Sequence, residues 1–264
     1  MTNKHTPSTL KTLIRYPGDK PKAASLILSH IPKNITGVHS IFLTGGSIEL
    51  LLSSKNINVR AFTHNKELLT FWACASWDSL KVAKIAQQFR DLLSEEAVFY
   101  NIQERRNESK DPFVRAALFF ALNRSTKNGH TSSGKFEPDC PRFNDKSLYD
   151  LANSNFKNLI VNHTEDYISE IDENGDVFLF CCPYEKYSSR QHSMTPAPME
   201  KRKIDHLKLR EKLINRKNWL LLYELNDEVL DAYAGFDYKL YTDSFRKVNK
   251  SNKANQILIF ANNL

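Results

Sequence analysis

The sequence predicts an α/β sheet domain interrupted by a helical insert. Three observations carry that prediction. Residues 39–52 read as strand, glycine turn and helix in direct succession: HSIFL, then TGGS, then IELLL. Residues 66–125 change texture and read mostly as helix. Beyond residue 147, short apolar runs of strand length return.

In chain order, Pro17-Gly18 reads as a turn feeding the apolar-periodic stretch 23–31. Residues 39–43 form a short apolar strand ending at Thr44-Gly45-Gly46-Ser47, and a helix starts within 48–52. Residues 58–62 read as a second strand, with a helix from about Lys66. Helical spacing covers 68–75, 79–94 and 113–122, and 98–101 is the strand-like run among them. Trp72 and Trp77 fall on that apolar helix and are assigned to the core. Residues 126–146 are polar and turn-rich, a surface loop. Residues 158–162 and 177–182 read as buried strands, Pro196 and Pro198 mark a loop, and 199–216 is helical. Residues 219–224 form another strand, and 239–242 with 256–260 a closing antiparallel pair.

Composition bounds the function classes. The 264 residues are 41% hydrophobic and 25% charged, ordinary for a globular chain of one or two domains and unlike a fibrous or wholly disordered one. No run of ~18 apolar residues is present, so no membrane span is expected. The first twenty residues lack an apolar segment, so no secretory signal is expected either. Cys74, Cys140, Cys181 and Cys182 form no CxxC spacing, and His64, His130, His163 and His192 show no ligand spacing. No metal is therefore expected, and a reducing cytoplasm is the simplest setting. Lys and Arg outnumber Asp and Glu by 37 to 30, a net +7 that favours polyanionic partners. The excess gathers at 200–217, with eight Lys/Arg against three acids, and at 239–253. Both stretches read as a solvated helix face and a basic loop, or as polyanion contacts.

The order of short motifs then becomes informative. The chain has Arg15-Tyr16-Pro17-Gly18-Asp19-Lys20, then Phe42-Leu43-Thr44-Gly45-Gly46-Ser47. Asp111-Pro112, Leu122-Asn123-Arg124 and Asn128-Gly129 follow, then Gly134-Lys135-Phe136, and last 178–184 (FLFCCPY). In this order and spacing they resemble the Dam-type DNA adenine-N6 methyltransferases, with their RYPGGK, FxGxGS, LNR…NG, G-x-F and DPPY motifs. The resemblance covers nearly the whole chain. It implies a Rossmann-like, seven-stranded, mostly parallel sheet binding S-adenosylmethionine outside the carboxyl ends of its strands. Residues 1–66 plus 147–264 would form that core and 67–146 the target-recognition insert. Arg15, Tyr16, Gly18, Lys20, Phe42, Gly45, Gly46, Ser47 and Thr63 would line the cofactor site. Asn123, Arg124, Lys127, Asn128, Lys135 and Arg142 would face DNA. Arg124 is also open to a structural role beside Asp111.

The departures from the family pattern concentrate on the chemistry. Adenine N6 is a poor nucleophile, and in the family the flipped base donates its amino group to the DPPY aspartate, an electrostatic stabilisation of developing charge. The catalytic motif here is Cys181-Cys182-Pro183-Tyr184: Tyr184 can still stack, but Cys181 stands at the acid's position. A neutral thiol is a weak acceptor with no fixed charge. Either cysteine could instead be read as a nucleophile or as a small buried hydrophobe. Thr44 replaces the first glycine of the cofactor turn, and Ser40 the acid two residues before Phe42. Thr63 replaces the ribose-binding acid, and Asp19 the second glycine of GGK, where its carboxylate would crowd that of the cofactor. The arginine expected after Asn128-Gly129 is absent, so phosphate contact is easier to support than base readout.

The reading is a degenerate methyltransferase that has lost catalysis, with S-adenosylmethionine binding weakened or lost, acting on DNA or on a protein partner. The alternative is a divergent active adenine-N6 methyltransferase.

Overall fold

The computed structural model describes residues 12–138, 140–172, 175–183 and 204–261. Tyr184, Pro196, Pro198 and Met199 lie outside the described residues.

Helix α1 (Ala24–His30) leads into strand β1 (Gly37–Ile41), helix α2 (Ser47–Ser54) and strand β2 (Asn58–Thr63). Helices α3 (Lys66–Gln88), α4 (Glu96–Arg105), α5 (Pro112–Ser125) and α6 (Asp145–Ala152) follow before strands β3 (Leu159–His163) and β4 (Phe178–Cys181). Helix α7 (His206–Ile214), strand β5 (Trp219–Glu224), helix α8 (Asp227–Ala232) and strands β6 (Asp237–Tyr241), β7 (Lys247–Val248) and β8 (Gln256–Phe260) complete the described chain.

The strands form one sheet in the order β3-β2-β1-β4-β5-β8-β6-β7. Pairs β1–β2, β2–β3, β1–β4 and β4–β5 are parallel; β8 is inserted antiparallel between β5 and β6. The expected α/β class and closing pair are found. The sheet has eight strands rather than seven, because Lys247–Val248 folds back on Leu240–Tyr241 as a short edge.

Period-two alternation assigns the two faces. Phe178, Phe180, Cys182, Leu220 and Leu222 join a core under α1, α2, α3, α5 and α6. Leu179, Cys181, Trp219, Leu221 and Tyr223 join a second core with Leu209 and Leu213 of α7 and Val229 of α8. The strand order reverses between β1 and β4, so a ligand crevice is expected there, outside their carboxyl ends.

Two local expectations are corrected. Residues 98–101 are helical: Phe99 and Gln103 are buried four residues apart, so packing of α4 overrides the strand preference of Val98-Phe99-Tyr100. Trp77 is 87% exposed while Trp72 is fully buried. Five residues place them ~140° apart around a helix, and α3 also breaks at Asp78 (φ −153°, ψ 84°). The second helical segment of the sequence reading ends early, α3 stopping at Gln88 before a 3-10 turn over Leu92–Ser94. The basic stretch is mixed in character. Lys208 and Lys217 are exposed, but Arg216 is buried and donates to the Asp172 and Val177 carbonyls at the entry to β4.

Candidate functional site

The register of β1 and β4 assembles the crevice. Ile41 pairs with Cys181, and the Cys182 amide reaches the Ile41 carbonyl at 3.4 Å. The glycine turn after β1 therefore lies beside Cys181-Cys182-Pro183. Phe42 leaves β1 with φ 72°, an uncommon conformation for a side chain of that size. Its ring packs 4.5 Å from that of Tyr167. Gly46 opens α2 in the left-handed region, and a Cβ there would meet the Trp72 ring at 2.8 Å. Only glycine suits both conditions.

The N-terminal motif approaches from the side. Pro17-Gly18 forms a type II-like turn: the Asp19 amide donates to the Tyr16 carbonyl at 3.1 Å, and Gly18 supplies φ 81°. Before the turn, Arg15 and Asn123 are clamped together. The Asn123 side chain accepts from the Arg15 amide at 2.8 Å and donates to the carbonyls of Arg15 (2.7 Å) and Gly129 (2.8 Å). The Arg15 guanidinium donates to the Lys127 carbonyl. Asn123 is fully buried with both amide protons committed, so the structure gives it a scaffolding contact rather than a surface for DNA. The Tyr16 hydroxyl accepts from Asn65 at 2.9 Å, and burial pushes its ionisation upward.

Beyond the turn, Asp19 enters the crevice. Its carboxylate accepts the Ser47 amide at 3.3 Å, at the first residue of α2, and the Ser47 hydroxyl as well. A Cβ on Gly45 would stand 2.5 Å from the Asp19 Cγ, so Gly45 is what admits the carboxylate. Burial pushes the Asp19 carboxyl up to about 6, against the Ser47 hydrogen bonds and Lys20. Lys20 donates to Gln256 of β8 at 2.9 Å.

Sequence reasoning missed Glu49. It is buried in α2 and accepts the Ser40 hydroxyl at 2.5 Å. Burial pushes its carboxyl up to about 7, against the Ser40 hydrogen bond, with Asp19 adding to the rise. The available signal was a lone acid in the apolar run Ile48-Glu49-Leu50-Leu51-Leu52. A buried carboxylate from the following helix thus stands beside Ser40.

Cys181 and Cys182 are both buried. Burial drives the Cys181 thiol far up, and the Cys182 thiol to about 12, where Lys20 opposes and Glu49 and Asp19 add to the rise. Both are neutral thiols at physiological pH, which removes the nucleophile reading. Pro183 is buried after them. Thr63 is buried at the end of β2, and its hydroxyl accepts the Asn65 amide at 3.2 Å, stabilising the turn into α3.

Residues 67–146 present their charges unevenly. Arg124 donates to the Arg142 carbonyl at 2.9 Å rather than pairing with Asp111, which caps α5 through the Phe113 amide. Arg142 pairs with Glu137. Lys127, Asn128 and Lys135 are exposed. A cleft of about 500 Å³ is lined by Lys66, Glu67, Arg106, Arg115, Phe119 and His163, at the starts of α3 and α5 and the end of β3. Glu67 is held there by Arg106 (2.9 Å) and Asn107 (2.6 Å). Among the described residues, no group of three or more His, Cys, Asp or Glu side chains could hold a metal ion, and no helix is long and apolar enough to cross a membrane.

Comparison with protein families matches residues 16–246 to the model described as D12 class N6 adenine-specific DNA methyltransferase. A comparison with curated proteins finds no match.

Proposed function

The chain belongs to the D12 class N6 adenine-specific DNA methyltransferase family, and from that premise we propose that it binds DNA, or a protein partner, without transferring a methyl group. The family implies S-adenosylmethionine and a DNA substrate. Cys181 carries the reading. At the position of the catalytic acid there is a fully buried, neutral thiol packed in the core that contains Leu209 and Leu213. It offers the adenine amino group no charged acceptor, and losing one such preorganised group costs ~10²–10³ in rate.

The pocket residues do not fit the amino-acid end of the cofactor. The anion-attracting start of α2 already receives the Asp19 carboxylate. Thr63 has no carboxylate for ribose hydroxyls, and its oxygen already accepts a backbone amide. The exposed Lys127 and Lys135, with the cationic side chains of the cleft, support phosphate contact.

Two assays test the reading. Incubation with adenine-containing duplex DNA and S-adenosylmethionine labelled on its methyl group is expected to leave the DNA unlabelled. Fluorescence anisotropy is expected to show DNA binding whose log affinity falls with log salt by ~0.9 per phosphate neutralised. No salt-dependent binding would move the function to a protein partner. The double variant Cys181→Asp, Cys182→Pro is also expected to leave DNA unlabelled, because Ser40, Thr63 and Asp19 remain. Glu49 favours the second reading, a divergent active enzyme, because it restores a carboxylate beside Ser40. Label transferred by the unmodified protein would establish it.

A further inference from the structure

We infer that the chain carries its own carboxylate ligand: Asp19 occupies the anion-binding start of α2 and closes that end of the crevice to any carboxylate-bearing cofactor.

Four observations converge on one point. The Asp19 carboxylate takes both the amide and the hydroxyl of Ser47, the donors that a helix start offers an anion. Gly45 leaves room for that carboxylate, since a Cβ at Gly45 would stand 2.5 Å from the Asp19 carboxyl group. The turn at Tyr16-Pro17-Gly18 fixes the backbone from which Asp19 projects. The Lys20 ammonium donates to Gln256 and makes no ion pair with Asp19, while its backbone amide and its charge both favour the Asp19 carboxylate. A second carboxylate arriving at Ser47 would find its donors taken. It would also meet a like charge in a buried setting, where repulsion is only weakly screened. Closure therefore adds a steric and electrostatic block to the weakened ribose contact at Thr63.

The inference concerns the same site as the proposed function, and its test is independent of methyl transfer and of DNA. Replacing Asp19→Gly leaves a carboxylate-sized vacancy facing Ser47. Acetate at pH 7.5 is expected to raise the melting temperature of that variant in a saturable way. It should have no such effect on the unmodified protein or on Asp19→Asn, whose amide still fills the space. Titration calorimetry with S-adenosylhomocysteine is the second arm: at least tenfold tighter binding to Asp19→Gly than to the unmodified protein is expected. Acetate rescue without S-adenosylhomocysteine binding also supports closure and assigns the remaining loss to Thr63. Equal acetate stabilisation of the unmodified protein, measurable S-adenosylhomocysteine binding of equal affinity in both, or no acetate response by Asp19→Gly would overturn it. Should Asp19→Gly fail to fold, Gly45→Ala approaches the contact from the other side. Its methyl group should displace the carboxylate, and carbon NMR should show Asp19 titrating near its ordinary value instead of about 6. An unchanged titration there would count against the inference.

Discussion

Arg15 and Asp19 stand four residues apart in one motif, and the structure uses them in opposite ways. Arg15, itself exposed, joins through its backbone a clamp around the buried Asn123 and Gly129. Asp19 joins a crevice where the sequence reading places departures from the motifs it resembles, and there Asp19, Ser40 and Thr63 all find partners among their neighbours. The clamp satisfies backbone groups that the fold takes away from water. The crevice residues of an active enzyme are held ready for a ligand, so replacing them costs the fold little once new internal partners exist. The difference teaches that fold and chemistry are separable here within a single turn of chain.

The largest effect should come from breaking the clamp. Asn123→Ala strands the Arg15 amide and the carbonyls of Arg15 and Gly129. Buried unsatisfied groups of this kind cost ~1–3 kcal/mol each, so a loss of ~3–5 kcal/mol is expected. At ~2–4 °C per kcal/mol for a chain of this size, the melting temperature should fall by ~6–20 °C. A loss below ~1 kcal/mol in denaturant titration would show that the clamp is not what holds the two segments together.

The crevice should behave in the reverse sense. Glu49 ionises near 7 when folded and near 4.5 when exposed. Between those values the folded chain holds a proton that the unfolded chain has released, so stability falls as pH rises from about 4.5 through 7. At ~1.4 kcal/mol per pH unit of displacement, the loss is ~3 kcal/mol. Glu49→Gln keeps an acceptor for Ser40 and removes the charge. It should therefore be more stable than the parent at pH 8, by an amount approaching that loss, and equal to it near pH 4. Urea titrations at the two pH values measure the difference. A variant less stable at pH 8 would mean that the ionised carboxylate is held by favourable contacts, as a working site would hold it.

How much of this was legible in the sequence follows from distance along the chain. The strand, glycine turn and helix at 39–52 are local, and hydropathy with turn chemistry placed them. The Ile41–Cys181 register sets Cys181 beside the glycine turn, a pairing of strands distant in the chain that the motif order did not supply. Glu49 escaped notice because its partner Ser40 lies across a strand-to-helix turn, nine residues away. The Asp19–Ser47 contact spans 28 residues, and the sequence suggested crowding there but not capture by α2. Trp77 was misassigned because hydropathy records what a residue is, while its exposure depends on the break at Asp78. Asn123 matched a motif read as DNA-facing, and only the fold reveals that its amide is buried in the clamp.

The smallest expected effect on the fold is also the sharpest test of the surface. Lys127 and Lys135 are exposed, and the Lys127 contact to Arg15 runs through its backbone carbonyl, which substitution retains. Lys127→Ala and Lys135→Ala should each change stability by less than ~0.5 kcal/mol. If these side chains neutralise phosphates, each variant should weaken DNA binding and reduce the slope of log affinity against log salt by ~1. Arg142→Ala provides the contrast: its guanidinium is engaged by Glu137, so it should alter the loop more than the salt slope. Unchanged slopes for both lysine variants, with binding intact, would move the phosphate contacts to the cleft of Lys66, Arg106 and Arg115. The loop over 126–146 would then belong with the clamp as scaffold rather than with the surface that meets DNA.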